Sequence, residues 1–207
     1  MFNKLFLVIN VYLLTGYALP ADPLTNLNGS WPEGIKHSIR ALPVLKIDYS
    51  KYPQSAENIC YSWHCNNGPR EVAPDRGAAD ANRNSNSCGR SSPNRCSTKF
   101  KPSHGSGYQC DEWPWANSNA GGRNVATRCI PASDNSGSGS VWGNFANNKG
   151  SQKPGRVLRD RIDFAEIKVV NIPNNAHFCL AELPGHRFSP NDCTRVDANQ
   201  PYLQRIG

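Results

Sequence analysis

Residues 107–145, GYQCDEWPWANSNAGGRNVATRCIPASDNSGSGSVWGNF, hold the only acids of a long basic region. Between Ala81 and Arg159 there are eleven Lys or Arg residues and three acids, Asp111, Glu112 and Asp134. Two readings compete for these carboxylates: a metal or general-base site acting on a phosphodiester, or structural ion pairs with neighbouring arginines. Local pattern gives the stretch a shape. Cys110-Asp111-Glu112-Trp113-Pro114 reads as a short strand stopped by proline, which cannot donate to a ladder. Gly121-Gly122 marks a turn, and Arg123 to Ile130 alternates as a second strand with Val125, Thr127 and Cys129 on one face. A polar loop from Ser133 to Ser140 follows, where Ser138 or Ser140 caps a helix carrying Val141, Trp142, Asn144 and Phe145.

Strand, turn, strand, loop and helix in this order resemble the ββα-metal finger of non-specific nucleases. CDEWPWA, the Gly-Gly turn, RCIPASDN-x-G-x-GS and Trp-Gly-Asn together resemble the secreted NucA/NucB deoxyribonucleases. Val44 to Pro53 and Arg161 to Phe164 fit that family's flanking strands, so the resemblance spans roughly residues 41–170. It implies an α+β fold: a small antiparallel sheet with an embedded ββα-metal finger, loop-rich and stapled by disulfides.

Outside the motif, Met1 to about Ala18 has one charge, Lys4, ahead of the apolar run Leu5 to Leu14 and a small-residue exit. The run is shorter than the ~20 residues a bilayer span needs, so it reads as a signal peptide cleaved after Ala18 or Ala21, with no membrane association afterwards. The expected organisation is a signal peptide (1–18), a mobile leader (19–40) with a sequon at Asn28-Gly29-Ser30, a nuclease domain (41–170) and a C-terminal extension (171–207). Leu45, Ile47 and Tyr49 alternate with Lys46 and Asp48 as a half-buried strand should. Asn82 to Ser87 reads as a polar surface loop. Arg156 to Val170 reads as a strand with a bulge between Phe164 and Ile167, because β-branched residues dominate its end.

Eight cysteines, Cys60, Cys65, Cys88, Cys96, Cys110, Cys129, Cys179 and Cys193, form an even count behind a signal peptide. Four disulfides in an oxidising, extracellular setting are expected, and zinc is disfavoured because no Cys-x-x-Cys pair occurs. Sequence alone allows 105 pairings. Neighbour pairing is the expectation, with Cys110 joined to Cys129 across the two finger strands and Cys179 to Cys193 clipping the extension.

Phosphodiester hydrolysis needs an activated water, charge stabilisation at phosphorus and help for the leaving oxygen, and a hard divalent cation can supply the last two. Magnesium takes oxygen ligands and keeps several waters. Asp111, Glu112, Asp134, Asn135 and Asn144 all carry oxygen of the suitable type. The resemblance implies Asp111 as general base and Asn135 as main metal ligand, with Glu112 and Asn144 as further metal candidates and Glu112 as the alternative base. Magnesium is the expected metal and manganese the alternative. Asp134 also reads as a turn former. Trp113, Trp115, Trp142 and Phe145 read as core. Arg123 and Arg128, on the second strand, are candidates to clamp a phosphate, and Lys99 and Lys101 to line a phosphate-binding lip, since such contacts dominate non-specific DNA affinity.

The net charge of +7 agrees with a polyanionic partner. The reading is a secreted, metal-dependent endonuclease acting on DNA with little sequence preference, RNA being a further substrate and no protein partner required. Two alternatives stand beside it: a non-catalytic cationic polyanion-binding protein, and a metal-independent ribonuclease using His104 with Glu112.

Overall fold

The computed structural model describes residues 41–90, 92–99, 105–193 and 204–206. The signal segment, the leader with its sequon, Lys101 and His104 lie outside the described residues. No helix among those described is long and apolar enough to cross a membrane.

Among the described residues, two three-stranded sheets and three α-helices make an α+β fold. The first sheet joins β1 (Val44–Asp48), β5 (Ala165–Val170) and β2 (Glu71–Val72) in the order β1-β5-β2. Its central pair is parallel, with Leu45 opposite Ile167 and Ile47 opposite Val169, while β2 runs antiparallel to β5. The second sheet is antiparallel, ordered β3 (Tyr108–Trp113), β4 (Ala126–Pro131) and β6 (Gln204–Ile206). Helix α3 (Ala132–Ala146) follows β4 directly, and α2 (Ala79–Asn84) precedes the loop that leads to β3.

The longest element before the finger is α1 (Pro53–Cys65), which the sequence reading does not assign. Its signals are nevertheless local. Pro53 stands at the first turn, where its missing N–H is harmless. Ala56, Ile59, Cys60 and Trp63 recur at i, i+3, i+4 and i+7, and all four are buried. The helix packs on β3 and β4 and on the 178–182 segment, to which Cys60 is bonded through Cys179. Glu57 is buried too, and its carboxylate accepts four hydrogen bonds: from the Tyr49 hydroxyl (2.7 Å) and the backbone N–H groups of His177, Phe178 and Cys179 (2.8, 2.7 and 3.4 Å). A buried carboxylate needs such donors, so Glu57 fixes the segment after β5 against α1.

An aromatic row links α1 to the finger. Trp63 meets Trp113 edge-on at 6.1 Å, Trp113 meets Trp115 at 4.6 Å, and Trp115 stacks on Trp142 at 5.0 Å. The tryptophans of the motif are therefore core anchors, as their spacing suggests.

Three expectations are corrected. The disulfides are Cys60–Cys179, Cys65–Cys193, Cys88–Cys110 and Cys96–Cys129, none of them the neighbour pairing. Cys110 and Cys129 are directly opposite in the register, but both face the 85–97 segment and each bonds to it. Two staples thus hold that segment on one face of the finger sheet, and two join α1 to the C-terminal segment. Second, Asn82–Ser87 is not simply a surface loop, because α2 runs to Asn84 and Asn86 is fully buried. Third, only Ala165–Val170 is strand in the region from Arg156. Ile162 and Phe164 are exposed, and a turn is tied there by Asp163, which accepts from Arg156 (2.7 Å) and Arg159 (2.9 Å).

Candidate active site

Adjacent strand residues point to opposite faces, and Asp111 and Glu112 obey this rule. On one face α1 covers Asp111, and Asn58 donates to its Oδ2 at 2.9 Å. On the other, the segment after α2 covers Glu112, and Asn86 donates to its Oε1 at 2.9 Å. Arg83 approaches Glu112 Oε2 at 3.9 Å. Both carboxylates are buried, Asp111 to 2% exposure and Glu112 to 6%.

They nonetheless border one cavity, because β3 is an edge strand whose end faces α3 rather than another strand. The cleft measures about 390 Å³ and is walled by Asp111 and Glu112, by Arg83, by Trp115 to Asn117 and by the α3 residues Asn135, Ser136, Gly139 and Ser140. Asn117 Oδ1 accepts from Trp142 Nε1 at 3.1 Å, which locks the floor to the helix.

Burial pushes the Asp111 carboxyl up, and the neighbouring Glu112 charge adds to it. The hydrogen bond from Asn58 opposes both, and the result is a pKa of about 7. Burial also raises Glu112, against the pull of Asn86 and Arg83. A carboxyl poised near neutrality is suited to exchanging a proton with water.

Helix α3 begins at Ala132, six residues before the capping serine expected from composition, so Asn135 belongs to its first turn and not to a loop. Its side-chain N–H donates to Gln109 Oε1 at 3.0 Å, an orientation that presents the amide oxygen as the remaining polar atom. Asn144 is nine positions further on. At about 100° per residue that is half a turn away, and it lies in a separate cavity with Val141, Lys149 and Gln152. The structure does not bring Asn144 to the cleft. Asp134 is buried and turned the other way: its Oδ2 accepts the backbone N–H of Gln54 at 2.8 Å, capping α1 from outside.

The basic candidates separate as well. Arg128 donates to Gln54 Oε1 at 2.8 Å, on the α1 side of the sheet. Arg123 stands in the turn before β4 rather than on the strand, and both it and Lys99 are exposed away from the cleft walls. Arg83, which opens the basic run that includes Lys99 and Lys101, is the cation that borders the cleft. Asn58 and Asn86 were missed, since neutral amides 53 and 26 residues from their partners leave no local pattern. The spacing that marks α1 as a helix was the one signal able to place Asn58.

The donor set fits a hard cation. Among the described residues no group of three or more His, Cys, Asp and Glu converges. Two carboxylates and an amide oxygen on a polar cleft are the oxygen donors that magnesium or manganese takes while keeping several waters, whereas zinc sites are built chiefly from nitrogen and sulfur ligands.

Compared with known families, residues 59–156 match the model described as deoxyribonuclease NucA/NucB. That span contains most of α1 and the whole of α2, β3, β4 and α3. No curated protein matches the chain.

Proposed function

Residues 59–156 make the chain a member of the NucA/NucB deoxyribonuclease family, and from that premise we propose that it is a metal-dependent endonuclease cleaving DNA with little sequence preference. It is a deoxyribonuclease by family. The observation that carries the finer reading is the pair of buried carboxylates, Asp111 and Glu112, opening on one cleft with Asp111 held near neutral pKa.

Asp111 takes the proton of the attacking water, and hydrogen bonds from Asn58 and Ser55 hold its carboxylate in place. Glu112, fixed by Asn86, and the amide oxygen of Asn135 would hold the divalent ion, magnesium or manganese. When bound, that ion supplies neutralisation of the phosphate and a more acidic water. Arg83, beside Glu112, meets a non-bridging phosphate oxygen. Small residues at Ser136, Gly139 and Ser140 leave the α3 wall low, so a sugar-phosphate chain passes without base-specific contacts, which is the ground for weak sequence preference. RNA offers the same phosphodiester and is a further substrate on this reading.

Secretion follows from the four disulfides among described residues, which persist in oxidising compartments, together with the apolar leader. Incubating purified protein with supercoiled plasmid, with and without EDTA and then with added magnesium or manganese, tests the proposal. Nicking that EDTA stops and metal restores is expected. Cleavage of RNA that survives EDTA would favour the ribonuclease alternative, and binding without any cleavage the cationic binding protein.

A further inference from the structure

The arginines of the body are largely committed to carboxylates: Arg70 to Glu182, Arg76 to Asp160, Arg156 and Arg159 to Asp163, and Arg161 to Asp75. Lysines along the open edge of β1 are not. Lys46, Lys51 and Lys153 line a groove of about 640 Å³, with Tyr52 from the start of α1 and Val141 from α3 as its inner wall. All three are exposed, and no ion pair holds them among the described residues.

The arrangement is built, not incidental. β1 is an edge strand, and the Gln152 side chain completes its backbone, accepting from Lys46 N–H at 2.8 Å and donating to Lys46 O at 2.9 Å. That strap brings the turn bearing Lys153 beside Lys46. Asp48, the single acid of the lining, accepts from the Ser50 N–H (3.0 Å) and hydroxyl (2.7 Å), and Lys51 adds a weaker electrostatic pull on its carboxyl.

The groove adjoins the cleft across α3. Ser140 lines the cleft and Val141 the groove. Tyr52 packs so closely on α3 that a methyl group at Gly137 would overlap its ring. Neighbouring residues of one helix, whose width with side chains is about 10–12 Å, thus border both cavities.

We propose that this lysine groove is a second contact for the phosphate backbone of a DNA duplex, holding the flanking nucleic acid while the scissile bond occupies the cleft. The inference rests on the nuclease reading for its substrate, and its charge chemistry selects a polyanionic strand without reading bases.

Binding of a 20-bp duplex is measured by fluorescence anisotropy in EDTA, in an Asp111→Asn background that prevents cleavage. Adding Lys46→Gln, Lys51→Gln and Lys153→Gln should weaken binding about tenfold and lower the slope of log Kd against log salt by about 2 to 3, since each phosphate contact contributes ~0.9. A charge control, Lys168→Gln with Arg187→Gln, should change the slope much less per charge removed. With Asp111 restored, the triple variant should lose about tenfold in kcat/KM on the duplex but keep its rate on a small chromogenic thymidine phosphodiester, too short to reach the groove. Unchanged Kd and slope, an equal effect per charge from the control, or equal loss on both substrates would overturn the proposal. If duplex binding responds as expected but no protein cleaves DNA, the nuclease mechanism fails and the groove stands. If cleavage is intact and binding does not respond, the groove fails alone.

Discussion

Asp134 and Gln54 stand 80 residues apart, yet the carboxylate of the first caps the first turn of the helix that holds the second, accepting its backbone N–H on Oδ2 at 2.8 Å. No side chain of α1's own N-cap, Tyr52, makes that bond. Losing a cap costs about 0.5–2 kcal/mol. Asp134→Ala should therefore lower unfolding free energy by that order, and Asp134→Asn by less, as read by chemical denaturation at neutral pH. An Ala variant as stable as the parent would remove Asp134 from this structural role.

Asp111→Asn should reduce nicking by roughly 10²- to 10⁴-fold, the usual contribution of a general base. It should also stabilise the metal-free protein. The native pKa of about 7 lies above the ordinary carboxyl value, so the folded state favours the protonated form, and stability falls as pH rises from about 4 through 7. The Asn variant escapes this loss. Its advantage in EDTA should grow with pH across that window, by at most about 1.4 kcal/mol per unit, and level off above it. Parallel stability curves for the two proteins would contradict the buried, uptitrated carboxyl.

Asn135→Ala should weaken metal affinity and rate together, with excess magnesium or manganese recovering part of the rate. Asn144→Ala, on the far side of α3, should leave both unchanged. Titrating metal into each variant during plasmid nicking separates them, and equal defects would return Asn144 to the site.

Glu182 gives a pH effect of opposite sign. Burial pushes its carboxyl up, but hydrogen bonds from Arg70 and His64 outweigh this and hold it down at about 2. A depressed pKa stabilises the fold above the ordinary value near 4.5, and the contribution disappears as pH falls towards 2. Arg70 is half open to solvent, so the amount is discounted to about 1 kcal/mol. Glu182→Gln should melt earlier than the parent at pH 7 and converge with it below about pH 3 in a thermal series.

The strands of the finger were legible because the pattern is local: Asp111 and Glu112 adjoin, Pro114 stops the strand, and the paired strands follow one another. Helix α3 was only half legible. Its first turns are Ser and Gly, poor helix formers, and they are held helical by tertiary packing of Tyr52 on Gly137 and of Trp142 and Phe145 in the core. Reading that segment as loop put Asn135 and Asn144 within reach of each other, whereas one continuous helix sets them on opposite sides. The disulfides eluded sequence order for a similar reason. Cys110 and Cys129 are neighbours in space, but a third segment lies against both.

The tethering of α1 by Glu57 and by Cys60 and Cys65 to residues 177–193 has a temporal side. The helix that orients Asn58 on the Asp111 carboxylate is synthesised early, but its anchors are more than a hundred residues later. A chain produced amino end first thus carries Asn58 and Asp111 well before it has the segment that holds α1 in place. Fixing α1 against the finger waits for residues 177–193 and for an oxidant, so a half-made or reduced molecule has both residues without the anchors that align them.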